Sequence, residues 1–67
     1  MFYPYVHETA IIWFTKETDY LFRTKYGQLI LAGFFRNMAD EWVLLEHGNG
    51  AIVNPDNILR YMVIPKD

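Results

Sequence analysis

The chain is predicted to be all-β: a small, strongly bent antiparallel barrel of five or six strands, with a short N-terminal helix as the alternative for its first segment. Three observations predict this. Short runs rich in aromatic and β-branched residues are separated by Gly27, Gly33, residues 37–40, Gly48-Asn49-Gly50 and residues 54–57, the usual punctuation of strands. Two of the runs are apolar on both alternating faces, whereas a sheet with one wet face alternates cleanly. Gly33 sits in the middle of one of them, and a glycine there often marks a sharp bend.

Taken in order, "AIIWFT" (residues 10–15) reads first as a strand; Glu8 and Thr9 just before it would also suit the first turn of a helix. "DYLFRTKY" (residues 19–26) alternates, with Tyr20, Phe22, Thr24 and Tyr26 on one face and Leu21, Arg23 and Lys25 on the other. Gly27-Gln28 is a tight link into "LILAGFFR". There Leu29, Leu31 and Phe35 lie on one side and Ile30, Ala32 and Phe34 on the other. "EWVLLEH" (residues 41–47) is the next strand, and the following "GNG" is a hairpin signal because Asn-Gly readily takes positive φ. "AIV" and "LRYMVI" flank the corner Asn54-Pro55-Asp56-Asn57. The last strand is apolar on both faces too, which predicts cover from other subunits or from barrel closure.

Sixty-seven residues make one domain, with a core over about 19–64 and an N-terminal segment 1–18. A chain this short buries only about 60% of its unfolded surface, and small scaffolds usually need a staple. Cysteine is absent and the two histidines, His7 and His47, stand far apart, so neither a disulfide nor a metal is expected, and no cofactor. The remaining staple is a partner. With 52% hydrophobic and 18% aromatic residues, the chain holds more apolar surface than its core can hide, which predicts a homo-oligomer. The longest apolar run, residues 29–35, is far short of the ~20 residues of a membrane span. "MFYPYVHE" has no basic region ahead of an apolar one, so no signal peptide is expected, and a cytoplasmic location fits. A net charge of −2 argues against broad electrostatic coating of nucleic acid but leaves room for a local site.

Three segments together resemble the Sm/Lsm family of RNA-binding proteins, with its Hfq-like members. "YLFRTKYGQLILAGFF" looks like the family's first strand, its glycine turn and the long bent second strand. "NMADEWVLLE" looks like the loop and third strand, and "AIVNPDNILRYMVI" like the second motif. The resemblance implies a bent five-stranded barrel. It also implies a ring of five to seven subunits, made by pairing the fourth strand of one copy with the fifth of the next. Single-stranded RNA, or DNA, would bind at polar loops around a central pore, in a role in RNA or DNA processing. Carried over by position, the binding candidates are Asn37, Met38, Asp40 and Trp42 in the first loop, Asn54, Asp56 and Asn57 in the second, and Arg60 just after it.

Recognition of a single strand needs a stacking plane and a few contacts to base edges. Asn54 and Asn57 offer amide donors and acceptors. The family's Arg-Gly is replaced by Asn54-Pro55, so the corner lacks a cationic stacking partner, and weaker or differently selective binding is expected. Arg23, Lys25 and Arg36 are candidates for a secondary basic patch. The plain alternative is that Asn-Pro-Asp-Asn is only a turn, that Trp42 is a core aromatic, and that His7 and His47 are inert.

No enzyme is expected. Serine and cysteine are both absent, which removes the two common nucleophiles. Asp40 and Glu41 are adjacent and point to opposite faces of a strand, and Glu8, Glu17 and Asp19 read as solvated surface. No glycine-rich phosphate loop is present. The competing function is an SH3-like interaction module without nucleic-acid binding, its peptide groove built from Tyr3, Tyr5, Trp13, Tyr20 and Tyr26.

Overall fold

The computed structural model describes residues 1–16 and 18–64. Six strands form one antiparallel sheet, accompanied by one short helix: β1 (Tyr3–Pro4), α1 (His7–Trp13), β2 (Asp19–Thr24), β3 (Leu29–Arg36), β4 (Trp42–Glu46), β5 (Ile52–Val53) and β6 (Ile58–Met62), with a 3-10 turn at Pro55–Asn57 before β6. The order across the sheet is β1-β6-β2-β3-β4-β5. The predicted barrel is not closed: β1 and β5 are the two edges of an open sheet.

In the first segment the helical alternative holds, and the strand reading of residues 10–15 is corrected. Residues 7–13 form a helix, and the strand lies earlier, at Tyr3–Pro4. The β-rich look of "AIIWFT" lost to tertiary packing. Ala10 is buried, and Ile11 and Phe14 pack against the core, the spacing a helix needs to present one face inward. Glu8 occupies the first turn, where a negative charge favours the helix dipole. At the other end the Lys16 ammonium donates to the carbonyl oxygens of Ile11 and Phe14, satisfying acceptors a helix end leaves open.

β2 and β3 form the central hairpin. Tyr20, Phe22 and Thr24 point inward, as their alternation predicts. The buried Thr24 hydroxyl accepts from the backbone N–H groups of Tyr26 (3.3 Å) and Gln28 (3.1 Å), and Gly27 turns the chain at φ 81°. Gly33 stands opposite Asp19 in the register. A Cβ there would lie 3.0 Å from the Thr18 carbonyl oxygen and 2.9 Å from Asp19 Oδ1. The glycine therefore permits a close backbone approach.

The core is Ala10, Tyr20, Phe22, Ala32, Phe34, Leu44 and Ile58. Phe14 links it to α1, its ring 4.5 Å from that of Tyr20, 4.7 Å from Tyr61 and 5.9 Å edge-on to Phe34. Such aromatic pairs add to area burial. The opposite face of the sheet carries Leu21, Leu31, Phe35, Val43, Leu45, Ile52 and Met62; register pairs such as Leu21↔Leu31, Leu21↔Met62 and Leu45↔Ile52 join most of them. One chain thus covers one face of its sheet. The expected two-sided cover is not supplied by the chain itself.

Candidate nucleic-acid interface

The candidates fall on two connections, the β3–β4 hairpin loop and the corner that carries the chain from β5 across to β6. In the β3–β4 loop, Asn37 Oδ1 accepts from the N–H groups of Ala39 and Glu41, both at 2.9 Å. Asp40 takes φ 64°, a left-handed conformation that aspartate tolerates better than most residues, and its carboxylate pairs with Arg36. Trp42 is half-buried against the core. The Arg36 guanidinium lies 4.8 Å from its ring centroid and the Lys16 ammonium 5.3 Å. Asn37, Asp40 and Trp42 are therefore committed to holding this loop. Met38, at the tip, is fully exposed.

In the second group, Asn54 Oδ1 accepts from the Asp56 N–H at 3.0 Å and caps the 3-10 turn, with Pro55 at its start. The Asn57 N–H closes the turn on the Asn54 carbonyl at 3.0 Å. Pro55 pre-sets its own φ, and the asparagine cap replaces a helix partner, so the corner is a rigid turn. Its polar surface consists of Asn54 and Asp56, both exposed, and Asn57, half-buried. Arg60 is exposed on β6.

The corner is tied to a third segment. Lys25 N–H donates to the Asn57 carbonyl at 2.7 Å, which seats the corner against the β2–β3 turn. There Tyr26 is 69% exposed, and the Lys25 ammonium lies 5.4 Å from its ring centroid. The aromatic plane and positive charge that the corner lacks in its own sequence thus stand beside it. An exposed aromatic at the tip of a "KYGQ" turn was the available signal. Its link to residue 57 depends on a contact between distant parts of the chain.

The remaining candidates separate. Tyr20 is buried, and Tyr5 packs edge-on to Phe22 at 5.5 Å and to Phe14 at 5.9 Å. Both belong to the core and leave Tyr3, Trp13 and Tyr26 as the exposed members of the supposed peptide groove. Burial, with a smaller contribution from Glu8, pushes the Tyr5 hydroxyl well above its usual range, and that hydroxyl bonds His7 Nδ1 at 2.8 Å. His7 stacks on Phe34, and His47 Nδ1 lies 3.0 Å from Asp19 Oδ2, so both histidines have structural partners. Glu17 lies outside the described residues. Among the described residues no cluster suits a metal ion and the surface holds no enclosed pocket, so a ligand here would be met on open surface. Among the described residues no helix is long and apolar enough to cross a membrane. In comparison with known proteins, the chain matches no family model, no curated protein and no solved structure.

Proposed function

We propose that this chain is a small Sm-like β domain that binds single-stranded nucleic acid, chiefly RNA, without covalent chemistry, as an assembly of copies of itself. One observation carries the binding: the corner at residues 54–57 is held rigid and fastened to the exposed Tyr26–Lys25 pair through the Lys25–Asn57 hydrogen bond. Tyr26 supplies a plane for a base, Lys25 a charge for its phosphate, and the Asn57 amide a contact to the base edge. Fluorescence anisotropy with labelled oligo-U and oligo-A tests it. Tyr26→Ala is expected to weaken binding by about 1–3 kcal/mol, the worth of one base stack. Equal affinity of Tyr26→Ala and the unchanged chain would remove the site.

Self-association is supported by the apolar outer face and by the open edge at β5, where Ile52 is 76% exposed. A head-to-tail ring of five to seven copies needs a second open edge on β6. In the structure β1 occupies that edge, with Tyr3 opposite Tyr61, Pro4 opposite Arg60 and Tyr5 N–H on the Leu59 carbonyl at 3.0 Å. With the β1 edge only two residues long and blunted by Pro4, the arrangement left is a twofold pair joined β5 to β5. A ring requires residues 3–5 to leave β6.

A further inference from the structure

The described cationic side chains sort into two groups. Lys16 is spent on the carbonyl oxygens at the end of α1, and Arg36 on Asp40. Arg23, Arg60 and Lys25 are different: among the described residues none of them has a carboxylate within ion-pair distance. Arg23 and Arg60 are direct register partners across β2 and β6. Phe22 and Tyr61, the preceding pair, face the core, so both arginines project from the outer face. Like charges directly opposite one another destabilise a strand pair. The register shifts by one residue just beyond them, between Arg23 and Thr24, and Lys25 follows at the end of β2, exposed. Aromatic rings flank the row: the Arg23 guanidinium lies 5.1 Å from the Phe2 ring centroid, and Lys25 lies over Tyr26.

We infer that the Arg23–Arg60 pair is an anion site, and that the anion is a backbone phosphate of the single strand whose base stacks on Tyr26. A phosphate between two guanidiniums relieves their repulsion and accepts charge-assisted hydrogen bonds from both. Lys25 and Tyr26 continue the track toward the corner, alternating charge and ring as single-strand binding surfaces do. Asp56, in the same corner, forms no ion pair with any of the three cations. The strand would thus run from the outer face of β2–β6 to the corner. A pore formed by several copies is not needed. This inference rests on the nucleic-acid reading above.

The test measures binding of labelled decauridylate to the full chain and to Arg60→Gln and Arg23→Gln over a range of salt. Each variant is expected to bind several-fold more weakly and to lower the slope of log affinity against log salt by about 0.7, the loss of one phosphate contact on a single strand. A melt of the free protein at low salt adds a readout without ligand: Arg60→Gln melts higher than the unchanged chain, because one of two repelling charges is gone. RNA binding with unchanged affinity and slope in both variants overturns the phosphate site while leaving the function standing. No RNA binding by the unchanged chain overturns both, as does binding to phosphatidylserine vesicles alone.

Discussion

At one edge of the sheet, Tyr3 and Pro4 lie along Tyr61 and Arg60, and the next residue, Tyr5, sets its ring among Phe14, Phe22 and Tyr61. At the other, Ile52 and Val53 pair inward with Leu45 and Leu44 and leave their outer side open. The first edge is finished. Pro4 has no N–H to offer a further strand, and the edge strand is anchored by a side chain in the core. The second edge has an exposed isoleucine and no proline within the strand, the condition that invites another chain. The difference teaches that this small domain spends its N-terminal segment on closing one edge. Any association between copies then has a direction built into it.

Breaking the closed edge has the largest expected effect. Tyr5→Ala removes the anchoring ring and is expected to cost about 3 kcal/mol. A domain of this length holds only roughly 3 to 10 kcal/mol in all. Urea titration followed by circular dichroism checks it; a midpoint unchanged from the parent would show that β1 is not anchored through Tyr5. Between the two edges, Gly33→Ala presses a methyl group against the Thr18 carbonyl and is expected to cost about 2 kcal/mol in the same titration. The cap leading out of the open edge is worth less. Asn54→Ala loses the bond to the Asp56 N–H and should lower stability by about 1 kcal/mol.

A pH titration sharpens the comparison further. The Tyr5 hydroxyl is held above its ordinary value of about 10. Above that pH the unfolded chain releases a proton that the folded chain keeps, so stability falls as pH rises. Tyr5→Phe should show a shallower alkaline decline than the unchanged chain, and parallel declines would contradict a buried hydroxyl. The smallest effect on the stability of the single copy is expected at the open edge, where Ile52→Lys should change the urea midpoint by less than about 0.5 kcal/mol equivalent at a protein concentration low enough that the unchanged chain is a single copy too.

Much of the sheet was legible in the sequence. The inward set Tyr20, Phe22 and Thr24 is fixed by a period of two, Gly27 lies where a turn requires it, and the 54–57 corner is the turn its residues spell; at Gly33, expected to mark a bend, the structure shows a close backbone approach. The N-terminal segment was not, because "AIIWFT" has strand-like residues and becomes helical only when Ala10, Ile11 and Phe14 meet the core and Lys16 closes the end. Of the site, the composition of the corner could be read directly. Its surroundings could not: Tyr26 and Lys25 come to Asn57, and Arg23 comes to Arg60, through pairings between segments about thirty residues apart or more.

The most direct test of the unequal edges is the native mass of the full chain, by light scattering on a sizing column, beside Ile52→Lys and a chain lacking residues 1–4. A two-copy species for the full chain, a single copy of 8.0 kDa for Ile52→Lys, and a larger species once β1 is removed from β6 is the predicted result. One and the same mass for all three would contradict it, because neither edge would then govern how copies meet.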